Sequence, residues 1–458
     1  ISFYFDIVKI YKRLCYNNSE IWSDIMKVGF ISLGCSKNLV VTEEIMGLFK
    51  KNGYEITGDV TEAEIILINT CGFIDSAKDE AISTILEMAD YKKANCKYLI
   101  VTGCLVQRYK DELIEELPEV DLFVSIKEYD ELWKMINKLI NNKQSVDYLN
   151  YKDRTITTGN SMAYLKIAEG CSNFCTFCAI PYIQGKYVSR KYEDILDEAN
   201  RLVKNGIREI VVIAQDTTKY GIDLYGYSRL AELLNDLAKI EGLEWIRFLY
   251  SYPENIDDEL IKVVKDNEKI CNYFDIPIQH ISDKILKKMN RKSDSKSIRN
   301  LLKKLRTEIP DVILRTTLIV GFPGETEDDF NELYEFVKES KFDKLGAFAY
   351  SKEDQTAASK MPDQIDEDVK NIRQDKIMKL QKQISAERLR EKVGKTYNCL
   401  IENITEDGQY YIGRTYMDVP SEDGVVYVQY EDGVLIDDFI EVTIIDSTAY
   451  DLYGIVKK

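Results

Sequence analysis

From Lys27 to about Tyr148 short apolar runs alternate with polar corners and amphipathic stretches: VGFISL before NLVVTEEIMGLFKK, EIILIN before SAKDEAISTILEMA, and YLIVT before QRYKDELIEEL. Brief apolar runs that give way to a repeat of three to four residues mark strand followed by helix, and their recurrence predicts a parallel-sheet α/β domain. From about Ser161 to Tyr350 six more such units follow, with strands expected near AYLKIA, EIVVIA, WIRFLY, YFDIP, ILRTTLIV and LGAFAY. Six units predict a partial (β/α)6 barrel, short of the closed eight-fold one. Ile365 to Lys392 reads as one long connecting helix. After Gly394 come five short β-rich runs, YNCLIEN, YYIGRTY, VVYVQY, FIEVTII and LYGIVK, which predict a small antiparallel β-barrel. The expected division is therefore an extension over 1–26, an N-terminal α/β domain over 27–150, the barrel domain over 157–390 and the small barrel over 391–458. The extension carries no usable cap or motif, and Asp6, Lys9 and Lys12 interrupt the apolar stretch that a signal peptide would need.

Charge narrows the partners. The 458 residues carry 61 Lys and Arg against 78 Asp and Glu, a net of −17, which disfavours a broad phosphate-binding surface. The imbalance is concentrated at the end: from Gly394 onward 13 acidic residues face 4 basic ones. Such a module repels nucleic acid and attracts basic protein. No apolar run reaches the ~18 residues of a spanning helix. Ten cysteines without an evenly paired framework point to reduced thiols and metal ligation in the cytoplasm.

Six of those cysteines fall into two triads. Cys171, Cys175 and Cys178 form CxxxCxxC within EGCSNFCTFCAIP, with no second CxxC or His pair nearby to close a structural zinc site; the single histidine is His280. A metal held there keeps an open ligand position. Cys35, Cys71 and Cys104 each follow one of the first three predicted strands, and strand ends in a parallel sheet share one edge, where ligands bind. Three cysteines at one topological position favour a site over three packed thiols. In the barrel domain, Gln215-Asp216-Thr217-Thr218, Tyr252-Pro253, Gln279-His280 and Gly321-Phe322-Pro323-Gly324 likewise fall at strand ends, on the rim expected to be active.

These residues resemble a known family from Met26 onward. CxxxCxxC with Phe177 before its last cysteine, at the end of the first barrel strand, is similar to the radical S-adenosylmethionine superfamily. The cysteine-bearing leading domain, the barrel and a trailing TRAM-like module together resemble its methylthiotransferases. SLGCSKN, NTCGFIDSAKDE, TGCLVQRY, AQDTTKYG, LYSYP, YFDIPIQHISDKILKKMNR and GRTYMDVPSEDG resemble the branch that modifies an aspartate of the universal small-subunit ribosomal protein number twelve. The resemblance implies two 4Fe-4S clusters. One is held by Cys171, Cys175 and Cys178 with S-adenosyl-L-methionine on its open iron; the other is held by Cys35, Cys71 and Cys104 and handles the inserted sulfur. It also implies a low-potential electron donor, the ribosomal protein as substrate at the acidic module, and cofactor contacts from Phe177, Gln215, Asp216, Thr217, Gly321 and Pro323. Two customary arginines are here Gln184 and Val188, and GxIxGxPxE has Thr317 for its first glycine while keeping Ile319, Gly321, Pro323 and Glu325.

Radical chemistry suits the substrate, because a carbon β to an amide is hardly acidic and has no acid–base route to a C–S bond. A tRNA-modifying relative would share that chemistry but needs a basic groove, so tRNA is not the expected partner. An iron–sulfur electron carrier accounts for the cysteines but not for the rim or the acidic module. His280 reads as a satisfied, partly buried histidine, Thr326 and Asp329 as a capping box, and Cys15, Cys96, Cys271 and Cys399 as packed thiols.

Overall fold

The computed structural model describes residues 26–141 and 147–457. The extension, apart from Met26, and Cys15 lie outside the described residues. The chain divides into two compact units. One holds the chain up to Gly159 with Ala163–Ser172 and Cys178–Val188; the other holds Asn160–Met162, Asn173–Phe177 and Ser189–Lys458.

In the first unit five strands, β1 (Lys27–Ser32), β2 (Glu55–Thr57), β3 (Ile65–Thr70), β4 (Tyr98–Gly103) and β5 (Leu122–Val124), form one parallel sheet in the order β2-β1-β3-β4-β5. Central β3 is buried at every position, as a strand covered on both faces must be. Its alternate residues feed two cores: Ile65 and Leu67 pack with Phe49, Tyr54 and Trp133, while Ile66 and Ile68 pack with Ile85, Leu99 and Leu105. Three helices, α1 (Ser36–Lys51), α2 (Asp75–Ala89) and α3 (Cys104–Glu116), follow β1, β3 and β4. Along α1, Gly47 lets the backbone at Asp153 approach so closely that a Cβ would collide with its carbonyl. Strands β2 and β5 were not expected. At three residues each they are too short for a hydrophobic period to reveal.

All six strands expected in the barrel domain are present: β6 (Met162–Lys166), which lies at the division between the units, β7 (Glu209–Ile213), β8 (Trp245–Phe248), β9 (Tyr273–Asp275), β10 (Ile313–Val320) and β11 (Lys344–Ala349). Within the second unit β7 pairs with β8, and β9, β10 and β11 pair in that order, all in parallel. The long helix, Glu367–Arg390, does more than connect. Gln374 and Gln381 donate to the carbonyls of Ala347 and Phe342, at 2.9 Å each, and Lys370 donates to that of Tyr350 at 3.1 Å. The helix thereby covers β11, which would otherwise be an open sheet edge.

The five terminal strands, β12 (Thr396–Ile404), β13 (Tyr410–Arg414), β14 (Val426–Gln429), β15 (Phe439–Ser447) and β16 (Leu452–Val456), close into a barrel in the order β12-β13-β14-β16-β15. One pairing, β14 with β16, is parallel rather than antiparallel. Five is an odd number, so directions cannot alternate all the way round a closed ring. A buried charge cluster ties this barrel to β7 and β8: Glu209 accepts from Arg247 at 3.0 Å and from Arg414 at 2.6 Å. Among the described residues no helix is long and apolar enough to cross a membrane.

Candidate functional site

Cys35, Cys71 and Cys104 stand at the carboxyl ends of β1, β3 and β4, which are neighbours in the sheet. The backbone brings them close. Gly34, at φ +86°, leaves room for the Cys71 side chain, whose Sγ would lie 2.9 Å from a Cβ added there. Cys35 is the N-cap of α1 and Cys104 opens α3, so two helix N-termini meet the thiols and favour anionic sulfur. Burial works against them. It pushes the Cys71 thiol up to about 11, and Cys104, buried and close to both other sulfurs, higher still. Thiols this buried become thiolates when a metal supplies the positive charge. Among the described residues no three His, Cys, Asp or Glu side chains converge as ligands of one ion do. Thiolates of an iron–sulfur cluster bind separate irons, so a cluster does not require three donors converging on one point.

Gln184, one of the departures from the family pattern, has a place here. Its amide approaches the Cys104 sulfur at 4.0 Å, and Ala179 and Ile183 pack on the same cysteine. An arginine at 184 would bring a charge to that sulfur; glutamine brings a neutral donor.

The CxxxCxxC loop is built by close backbone approaches. Gly170, at φ +66°, passes so near Lys186 that a Cβ would overlap its carbonyl, and the Cys171 amide donates to the carbonyl of Gly185 at 3.1 Å. Cys171 is buried and Cys178 partly so. In the second unit the segment Lys288–Arg291 holds the stretch around Cys175. The Thr176 hydroxyl donates to the Lys288 carbonyl at 2.9 Å and its amide to that of Met289 at 3.1 Å; the Asn290 amide group donates to the Phe174 carbonyl at 3.0 Å. Arg291 Nη1 lies 3.8 Å from Cys175 Sγ, and Tyr252 Oη 3.1 Å from it. Tyr252 was expected on the active rim from the sequence, but Arg291 was not singled out, although KKMNR contains it. Nothing in a linear pattern marks an arginine as buried.

Of the other rim residues, Asp216 is fully buried and accepts from the Thr218 hydroxyl at 2.6 Å and the Asn173 amide group at 2.8 Å, while Lys219 pairs with the Asn173 side-chain oxygen. Burial raises the Asp216 carboxyl despite these bonds. Thr217 donates to the Leu249 carbonyl at 2.8 Å. Gln215 remains partly exposed at the end of β7. Phe177 packs with Ile285, Met289, Phe322 and Tyr350. Gly321, at φ +71°, donates to Glu325 at 2.9 Å and lies where a Cβ would strike Lys370; the Pro323 carbonyl accepts from Lys288 at 3.4 Å.

His280 is wholly buried, more deeply than expected. Its Nδ1 accepts the Ser282 amide at 3.0 Å, which leaves the proton on Nε2, 3.3 Å from a Glu325 oxygen. Glu325 instead accepts from Arg373 at 2.7 Å, and among the described residues His280 Nε2 is left without a hydrogen-bond partner, so the expected satisfied histidine is satisfied at Nδ1 alone. Thr326 and Asp329 form the capping box, with reciprocal bonds at 3.3 Å and 2.9 Å. Cys96, Cys271 and Cys399 are buried free thiols.

Comparison with known proteins follows this anatomy. Residues 165–337 match the Radical SAM superfamily, 27–125 the Uncharacterized protein family UPF0004 and 393–456 the TRAM domain. The chain is 64% identical over 431 residues to the ribosomal protein uS12 methylthiotransferase RimO of Alkaliphilus oremlandii, covering 94% of this chain and 98% of that protein. It is 52% identical over 443 residues to the protein of the same name from Acetivibrio thermocellus, covering 93% and 98%. Among solved structures, the radical S-adenosylmethionine methyltransferase TsrM from Kitasatospora setae shares the fold, with a TM-score of 0.53 at 11% identity over 72% of each chain. With relatives this similar over nearly their whole length, the chain belongs to the RimO family of ribosomal protein uS12 methylthiotransferases.

Proposed function

We propose that this chain inserts a methylthio group at the β-carbon of an aspartate of ribosomal protein uS12, with one 4Fe-4S cluster held by Cys171, Cys175 and Cys178 and a second by Cys35, Cys71 and Cys104. The observation that carries the two-cluster reading is the first triad: three thiols at the ends of adjacent parallel strands, two of them at helix N-termini. When bound, the clusters and S-adenosyl-L-methionine supply one-electron reduction, a hydrogen-abstracting carbon radical and a transferable sulfur. The protein supplies position. Lys288–Arg291 fixes the Cys175 stretch in one unit, and the β-sheet edge fixes the first triad in the other.

The terminal barrel is read as the docking face for the basic substrate. Glu406, Glu431, Asp432 and Asp446 are exposed on it. Glu422 and Asp423 are committed elsewhere: Glu422 pairs with Arg315, and Asp423 accepts from the Tyr273 hydroxyl at 2.7 Å. These two carboxylates anchor the barrel and are less available to a basic partner than the four exposed ones.

Anaerobic reconstitution should load about eight irons, and replacing Cys171, Cys175 and Cys178 with Ala should leave about half. Mass spectrometry of ribosomal proteins and tRNA from cells with and without the gene should show the methylthio group on uS12. Its appearance on tRNA alone would transfer the chain to the tRNA-acting branch. A reconstituted wild type holding about four irons would remove the second cluster.

A further inference from the structure

Arg291 is a buried guanidinium with an unusual set of neighbours. Its Nη2 donates to the Pro277 carbonyl at 2.8 Å, its plane lies 4.0 Å from the centroid of the Tyr252 ring, and its Nη1 points at Cys175 Sγ at 3.8 Å. Among the described residues no carboxylate forms an ion pair with it. Glu254, an acid whose charge reaches it, is engaged by the Ser293 hydroxyl at 2.7 Å. Burying a charge without a counter-ion is costly, and a ring face and one carbonyl offset only part of that cost. An aliphatic side chain would fill the space more cheaply. The guanidinium is matched if the sulfur it faces is anionic.

Tyr252 reaches the same sulfur from another loop. It follows β8, whereas Arg291 follows the helix Asp283–Lys288; the guanidinium lies over the tyrosine ring, and both side chains reach the Cys175 sulfur, in the tyrosine contact with either atom able to donate. Arginine can only donate, so the sulfur accepts from it; a thiolate bound to iron accepts from the tyrosine hydroxyl as well.

We propose that Arg291 and Tyr252 set the reduction potential of the cluster at Cys171, Cys175 and Cys178 by donating hydrogen bonds to the Cys175 sulfur. Reduction brings one electron from a low-potential one-electron donor into the cluster; no bond breaks and no proton moves. It adds negative charge beside a buried cation and two donors. These stabilise the reduced form more than the oxidised one and raise the potential, so that a biological donor can fill the cluster. The effect of the cation is enlarged by burial, because little water screens it.

The test is an anaerobic redox titration of the reconstituted holoenzyme followed by electron paramagnetic resonance, repeated with Cys35, Cys71 and Cys104 replaced by Ala so that one cluster is observed alone. Arg291→Gln should lower the ratio of reduced to oxidised cluster at a fixed potential at least tenfold, a fall of about 59 mV for a one-electron couple. Arg291→Lys, which keeps the charge, should fall less, and Tyr252→Phe, which keeps the ring, should fall in the same direction. Arg291→Gln with full iron and an unmoved potential would reduce the guanidinium to packing and overturn the proposal. If Arg291→Gln takes up no iron, Tyr252→Phe decides: a lower potential supports the proposal and an unchanged one sinks it. The inference rests on the reading that Cys175 holds a cluster. Iron uptake indifferent to Cys171, Cys175 and Cys178 would sink both, whereas a loaded cluster of unmoved potential sinks only this one.

Discussion

Replacing Glu209 with Gln tests how the terminal barrel is held. Glu209 and Arg247 are wholly buried, and Arg414 nearly so. Glu209 receives Arg247 Nε at 3.0 Å and Arg414 Nη2 at 2.6 Å, while Arg247 also reaches the Tyr416 and Thr415 carbonyls at 2.5 and 3.3 Å. Removing the carboxylate leaves two guanidiniums facing each other, with only Glu402, 2.7 Å from Arg414, as counter-ion. Breaking a buried pair from one side costs about 3–5 kcal/mol, which speeds local opening by about two to three and a half decades. The assay is amide hydrogen exchange over Thr415–Asp418, with Glu402→Gln as control. Because the Glu402 side chain is 31% exposed, that variant should cost no more than about 1 kcal/mol. The pH dependence has a definite sign. Burial opposes ionisation of Glu209, but Arg414 and Arg247 outweigh it and hold its pKa below the ordinary 4.5. Its contribution is therefore complete above that value and is lost as pH falls below it, a limb that the variant should lack. Exchange rates in Glu209→Gln that match the wild type would refute the reasoning.

Thr326→Ala, which removes the hydroxyl from the capping box of the helix Glu327–Ser340, should destabilise the second unit by about 1 kcal/mol in urea denaturation. Reversing Glu406, Glu431 and Asp432 to Lys should slow association with uS12, most at low salt because exposed charges are screened over about 8 Å at physiological ionic strength, while leaving S-adenosyl-L-methionine cleavage intact; stopped-flow association at several salt concentrations reads this. Cys35→Ala should still give 5′-deoxyadenosine under reducing conditions but no methylthio product, and Cys175→Ala should lose both, as chromatography of the reaction mixture would report.

The sequence by itself determined whatever depends on neighbours along the chain. Alternation of apolar runs and amphipathic stretches placed the six barrel strands and the first-unit strands β1, β3 and β4, because period and chain direction are local properties. The same logic located Cys35, Cys71 and Cys104 at one sheet edge, since parallel strands must share their carboxyl ends. The Thr326–Asp329 capping box was legible because it spans one turn. Tertiary structure decided the partners of charged groups. Arg291 and Cys175 are 116 residues apart and Glu209 and Arg414 are 205, so no spacing rule links them. It also decided which carboxylates of the terminal barrel are already paired, giving Glu422 to Arg315 and Asp423 to Tyr273, and imposed the parallel β14–β16 pair through closure of a five-stranded ring. A charge on a short polar stretch reads the same whether it ends in water or beneath a packed loop; only the fold, by excluding water from some of these groups, gives each its counter-ion and its energy.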